Sequence, residues 1–252
     1  KKRYLENKNK KKFYIKNKII NFLNNNKLNS TEKKIKKEYD NFSNNYDKWI
    51  TWMFKSFNEV EKVSRNKIIK RLNIKKNFKV LEIGSGTGRD TIFLENKIGH
   101  NGKLYVQDIS EKMINILQKK FKNNKKIIPF ISNSDQLPFK NEYFDVIYNF
   151  GSFNEFQNPS KVLQEFNRIL KVNGMVLLAD ENIAPWLKGT TYANIIETNN
   201  AIFKRDFLPL KYIPNNAKNV NLSWEIGNCF YVITYEKGKD SPKLNLDLKH
   251  DS

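Results

Sequence analysis

Phe78-Lys79-Val80-Leu81-Glu82-Ile83-Gly84-Ser85-Gly86-Thr87-Gly88-Arg89-Asp90 is the stretch that decides the fold. Val80, Leu81 and Ile83 form a short apolar run of branched residues, which reads as a buried strand. Three glycines follow at alternate positions, and a helical pattern then starts near Arg89 and carries Ile92, Phe93 and Leu94. Strand, glycine turn and helix start together bring bare backbone N–H groups up to a ligand. A Cβ in such a turn would hold the ligand off, and the turn often needs φ > 0. The spacing leaves the ligand open. A dinucleotide turn asks for G-x-G-x-x-G, and Arg89 stands where its third glycine would be. The P-loop pattern is absent. Asp108, twenty residues past Gly88 and at the end of the next strand, suits a pair of ribose hydroxyls in more than one nucleotide family.

Strands and helices alternate from this turn onward. The pattern predicts strands over 79–83, 103–107, 127–131, 144–148 and 175–179. Helices fall between them, one opened by Ser110 as N-cap and one by Asn158-Pro159. Val220–Ile226 and Phe230–Tyr235 flank Gly227-Asn228, which is a hairpin signal. The expectation is an α/β fold: a doubly wound, mostly parallel, seven-stranded Rossmann-like sheet ending in an antiparallel hairpin. Residues 31–72 are helical and aromatic and read as a cap on the main domain, which runs over 31–236. Residues 183–218, with Pro185, Trp186, Pro209 and Pro214, break the rhythm and read as an insert over the pocket. Residues 1–30 read as a basic arm, either loosely docked or an amphipathic helix carrying Phe13, Ile19, Ile20, Phe22 and Leu23. Residues 237–252 read as a polar tail.

Composition narrows the function classes. The 252 residues carry a net charge of +20, one cysteine and two histidines. A disulfide within the chain and a cysteine- or histidine-cluster metal site are therefore excluded. No apolar run is long enough to span a membrane and no leader pattern opens the chain, so a cytoplasmic setting is expected. The charge is mainly lysine, with only six arginines among 46 basic residues. It reads first as a solvated surface, and second as a contact with an anionic membrane surface or nucleic acid.

The motifs taken in order resemble the class I S-adenosylmethionine-dependent methyltransferases, over about Tyr39 to Tyr235. Val80 to Gly88 looks like that family's first motif, and Asp108-Ile109-Ser110 with Met113 looks like its second. Asn133-Ser134-Asp135-Gln136-Leu137-Pro138-Phe139 resembles the third, with Asn133 in place of the usual aspartate. Phe144 to Ile147 and Ile169 to Met175 resemble the fourth strand and the turn before the fifth. Tyr39-Asp40-x-x-Ser43-x-x-Tyr46-Asp47 is similar to a segment of the branch that includes quinone-ring C-methyltransferases.

This resemblance implies S-adenosyl-L-methionine as cofactor and a residue-by-residue site. Gly84, Ser85, Gly86 and Gly88 would pass under the methionine part, with Glu82 near its ammonium. Asp108 would take the ribose hydroxyls, Ile109 and Met113 would flank the adenine, and Asn133 and Ser134 would reach its edge. Tyr46 and Tyr39 would close over the carboxylate end, and Asn149 would sit near the transferred methyl. Glu155, Asp180 and Glu181 are the candidate bases, with Glu155 and Asp180 put forward first. The acceptor is expected to be a small, hydrophobic or aromatic molecule, on the strength of Trp49, Trp52, Phe153 and Trp186. An RNA methyltransferase using the basic surface and a non-catalytic cofactor-binding protein are the alternatives.

Overall fold

A computed structural model describes residues 3–6, 12–16, 19–23 and 28–241. Among these, ten strands form one sheet. They are β1 (Arg3–Glu6), β2 (Lys12–Lys16), β3 (Ile19–Asn21), β4 (Lys79–Ile83), β5 (Lys103–Asp108), β6 (Ile127–Ile131), β7 (Phe144–Phe150), β8 (Leu170–Glu181), β9 (Ala217–Glu225) and β10 (Phe230–Lys237). Their order across the sheet is β1-β2-β3-β6-β5-β4-β7-β8-β10-β9. The helices are α1 (Ser30–Phe42), α2 (Tyr46–Ser56), α3 (Glu61–Lys70), α4 (Thr91–Lys97), α5 (Glu111–Lys120), α6 (Pro159–Ile169) and α7 (Thr191–Asn199).

The seven expected strands are β4 to β10. β4 is central because both its faces are covered. Val80 packs with Leu94, Leu104 and the cap residues Ile50, Met53 and Phe54, while Leu81 and Ile83 pack with Val162, Leu163 and Phe166 of α6. A strand buried on two faces reads as a mainly apolar run, and β4 does so apart from the buried Glu82. β5 and β7 lie on either side of it, both parallel to it. The strand order therefore reverses at β4, and the crevice at the carboxyl ends of β4 and β7 is the place such a sheet offers a ligand. β10 runs antiparallel between β8 and β9.

The N-terminal expectation needs correction. The described parts of residues 1–30 include three short strands and no helix before α1. β3 adds in parallel to β6, pairing Ile20 with Phe130 and Asn21 with Ile131, and β2 and β1 follow antiparallel. Ile19 is buried against Ile114 and Ile131, and Phe22 packs edge-on to Phe130 at 6.1 Å. The apolar residues that suggested a helical stripe instead cover the exposed edge of β6. Residues 242–252, most of the expected tail, lie outside the described residues.

The cap joins the main core through a buried cation. Arg65 of α3 is 3% exposed, pairs with Asp90 at the start of α4, and binds Glu61 Oε1 at 2.7 Å. Its guanidinium also lies 4.8 Å from the Phe150 ring centre and 5.1 Å from that of Phe54. Removing one partner of a buried pair strands the other charge. Arg65→Leu is expected to cost about 3–5 kcal/mol in urea unfolding, and Arg65→Leu with Asp90→Leu is expected to recover most of it. A loss below about 1 kcal/mol in the single variant would contradict this.

Candidate functional site

Two cavities meet at the carboxyl end of β4. The first, of about 260 Å³, is lined by Asp108, Ile109, Met113, Asn133 and Ser134, and by Glu32 and Ile35 of α1. The second, of about 270 Å³, is lined by Phe42, Trp49, Met53, Arg65, Phe150 and Glu181 among others. Tyr39, Tyr46, Gly84, Gly151 and Glu155 border both. These five residues are the wall between a chamber beside the Asp108 loop and an aromatic one.

The glycine turn serves that wall. Gly84 and Gly86 have φ of +66° and +53°. A Cβ on Gly84 would lie 2.1 Å from Ser152 Oγ, and one on Gly86 would meet the Tyr46 ring at 3.4 Å. Gly88 is different. Its φ is +86°, but its missing Cβ makes room for Leu117 and Phe121, so it seats α5 and lines neither cavity.

Asp108 is held by the same turn. Gly86 N–H donates to its Oδ2 at 2.9 Å and Ser110 N–H to its Oδ1 at 2.8 Å. Each oxygen keeps a further lone pair, so the carboxylate still accepts from two hydroxyls. Burial pushes its pKa up to about 6, against the pull of the Ser110 and Gly86 amides.

Two aspartates fasten the cap to these loops. Asp40 Oδ1 accepts from Ser110 Oγ at 2.6 Å and from Lys112 N–H at 3.2 Å. Asp47 accepts from Thr87 Oγ1 and from Lys120 Nζ, the latter at 2.7 Å. Arg89 reaches back to Glu61, Thr51 and the Asp47 carbonyl. The seven-residue step from Tyr39-Asp40 to Tyr46-Asp47 thus fixes both loops with the aspartates and aims both tyrosines at the wall. The repeat was visible in the sequence, and only its tyrosines were singled out there. Glu32 was also missed. It closes a capping box with Asn29 and accepts from Asn133 Nδ2 at 2.7 Å. That bond turns the Asn133 amide oxygen into the one unclaimed by Glu32.

Other expected residues sit elsewhere. Ser85 lines the second cavity, and its Oγ is buried with no partner among the described residues. Glu82 lines neither cavity. It is buried, accepts from Thr91 Oγ1 at 2.7 Å, and burial with the nearby Asp90 charge holds its carboxyl well above the usual range. Asn149 is 0% exposed and donates to Ile83 O at 3.0 Å and Ser152 Oγ at 2.6 Å. It braces the turn rather than facing a cavity. Trp49 lines the second cavity, as expected. Trp52 and Trp186 point to solvent, at 57% and 61% exposure, and Phe153 is in the core behind the site. Of the insert 183–218, Ile202 reaches the second cavity.

Two of the three candidate bases are occupied. Asp180 accepts backbone N–H from Asn154 and Glu181, both at 2.8 Å, and so braces the loop after β7. Glu155 is paired with Arg205 at 2.7 Å. Glu181, the third candidate, lines the second cavity together with Asp180 and has no cation paired with it among the described residues. Burial, and next the adjacent Asp180 charge, hold its carboxyl well above the ordinary range. No group of three or more histidine, cysteine, aspartate or glutamate residues suits a metal among the described residues.

A family model described as the ubiE/COQ5 methyltransferase family matches residues 27–192. The chain belongs to that family. Its mostly parallel sheet with an antiparallel end is the Rossmann-like fold of solved methyltransferases. A demethylmenaquinone methyltransferase of Staphylococcus carnosus is 36% identical over 151 residues, which are 59% of this chain and 61% of the relative. An uncharacterized protein of Methanocaldococcus jannaschii is 35% identical over 175 residues, 68% of this chain and 62% of that one. The matches thus span less than two thirds of either relative. A SAM-dependent methyltransferase from Aquifex aeolicus superposes with a TM-score of 0.52 at 19% identity, covering 72% of this chain and 95% of that one. At that identity the likeness speaks for the fold.

The family's cofactor fits the first cavity on the geometry of the chain itself. The glycine turn has no room for added Cβ atoms at Gly84, Asp108 has spare acceptor capacity, and Ile109 with Met113 supplies an apolar side for a base. The ionised Asp108 accepts two hydroxyls, whereas its protonated form accepts them poorly. Hydroxyls bound there would therefore pull its pKa down from about 6, and binding would expel a proton near that pH. S-adenosylhomocysteine affinity is expected to fall as pH drops through about 6, with proton release seen in calorimetry across buffers. Asp108→Asn should abolish the release and weaken binding about 10- to 100-fold. Unchanged affinity in that variant would remove Asp108 from the site.

Proposed function

We propose that the protein transfers a methyl group from S-adenosylmethionine to a small hydrophobic ring compound, with a hydroquinone the first candidate. The observation that carries this reading is the shared wall. A chamber with nucleotide-binding chemistry and a chamber lined by Phe42, Trp49, Met53 and Phe150 meet across two tyrosines and two glycines. The name of the Staphylococcus relative supports the choice of a quinone-type acceptor.

When bound, the cofactor supplies a methyl on a positively charged sulfur. The chain's part is then mostly placement, since holding two reactants in line removes much of the barrier. Asp108 would take the ribose hydroxyls, Ile109 and Met113 would flank the adenine, and the Asn133 amide oxygen would accept from its amino group. Tyr39 and Tyr46 would shield the junction from water, with Gly84 and Gly86 admitting the ligand close to the backbone. In the second cavity the aromatic side chains would hold the acceptor ring. Glu181 is the group suited to take the acceptor's proton, because a carboxylate with a raised pKa is a stronger base than an exposed one. Asp180 and Glu155 then act as supports, one for the loop and one for Arg205.

The direct test is incubation with S-adenosylmethionine and a hydroquinone bearing a free ring position, read by mass spectrometry. The product should carry one added methyl on carbon. A highly polar acceptor as the only substrate would refute the reading. Glu181→Gln should lower kcat about 10²-fold or more while leaving S-adenosylhomocysteine affinity unchanged. The wild-type rate should rise with pH as Glu181 ionises, and the variant should lose that limb. Full kcat in the variant would free Glu181 of this role.

A further inference from the structure

α2 has one face in the core and one in solvent. Ile50, Met53 and Phe54 are buried, while Lys48, Trp52 and Lys55 are exposed at i, i+4 and i+7 on the other side. Trp52 is 57% exposed. Single exposed aromatics are common and carry no argument alone. Two further features of this face do.

The first is the mouth of the aromatic cavity. Phe42, at the end of α1, is 37% exposed and also lines the second cavity. It packs edge-on to both Tyr46 and Trp49 with ring centres 6.3 Å apart. The apolar chamber thus reaches the surface where α1 hands over to α2.

The second is how the charges divide. Arg65 is spent on Glu61 and Asp90, Arg71 on Glu225, and Arg89 on Glu61 and Asp47. Lys48 and Lys55 are exposed and pair with no carboxylate among the described residues. The unpaired outward charge of α2 is therefore lysine, since Asp47 on its flank is paired with Lys120 and Arg89. Arginine forks suit phosphates and base edges read one by one, whereas lysine is a compact point charge. Lysines on either side of a tryptophan suit a diffuse anionic layer with an apolar interior, and the chain's net charge of +20 favours the same partner.

We infer that the outer face of α2 docks the protein on an anionic phospholipid surface. Trp52 sits at headgroup level, Lys48 and Lys55 meet the lipid charges, and the cavity mouth at Phe42 opens beside the bilayer. This surface stands whether or not the second cavity holds a methyl acceptor. Each lysine at such a surface is worth roughly fivefold in affinity, and salt screens it.

The test is flotation of the full chain with phosphatidylcholine vesicles, with and without phosphatidylglycerol, at low and high salt. Binding should be at least about tenfold stronger to the anionic vesicles and should fall away at high salt. Lys48→Glu with Lys55→Glu should weaken it about tenfold or more. Trp52→Gln should weaken it too, and brominated lipids should quench wild-type emission that Trp52→Phe lacks. Affinity for S-adenosylhomocysteine should stay unchanged in all three variants, which shows that they fold and separates this result from any failure of the methyl-transfer reading. Equal binding to both kinds of vesicle, or variants that bind like wild type, would overturn the inference. So would a polyuridylate that binds this face more tightly than the anionic vesicles do.

Discussion

The fastening of Asp40 and Asp47 to the loops after β5 and β4 is the constraint on which the site depends. The sheet alone supplies a crevice open to water. Asp40 ties α1 to Ser110 and Lys112, two and four residues past Asp108. Asp47 ties α2 to Thr87, one residue past Gly86. The cap is therefore held by the same two loops that would hold a nucleotide, and its tyrosines stand where those loops converge. Arg89 completes the arrangement from the other side, reaching Glu61 and Thr51. A residue that argues against a dinucleotide turn in the sequence thus has its own task in the structure, as the strut between turn and cap.

Burial sorts the carboxylates of the site by what surrounds them. Asp108 has two backbone donors and a raised but moderate pKa of about 6. Glu82 and Glu181 are more strongly raised, chiefly by desolvation, with Asp90 and Asp180 as their respective charged neighbours. Asp47 and Glu61 go the other way. Burial raises them, but the bonds from Lys120 and Thr87, and from Arg89 and Arg65, lower them overall. The acids that fasten the cap are thus held ionised by cations, whereas Glu181 lines the second cavity with no cation paired to it among the described residues.

Much of the fold was legible because its signals are local. β4 to β10 each show an apolar run or alternation bounded by turn residues, and Ser110 and Asn158 cap α5 and α6 as their types suggest. Gly84 and Gly86 lie in the turn with the positive φ their spacing implied. What was not legible depends on distant packing. β3 has three residues, too few to show a period, and exists because the edge of β6 is available. Gly88 looks like its two neighbours in the sequence, yet its missing Cβ serves Leu117 and Phe121. Asp180 and Glu181 are adjacent in the chain and both line the aromatic chamber, but Asp180 is engaged by the backbone N–H groups of Asn154 and Glu181, which depends on where the loop after β7 folds. Trp52 and Trp186 read as pocket residues because exposed and buried tryptophans look alike in sequence.

One ligand is expected to bridge from Asp108 to the tyrosine wall. A crystal structure of the protein with S-adenosylhomocysteine tests it most directly. Ribose hydroxyls are expected on the two Asp108 oxygens, adenine between Ile109 and Met113, and the sulfur at Tyr39 and Tyr46 facing the aromatic chamber. A ligand seated wholly within the second cavity, or with its ribose away from Asp108, would contradict it.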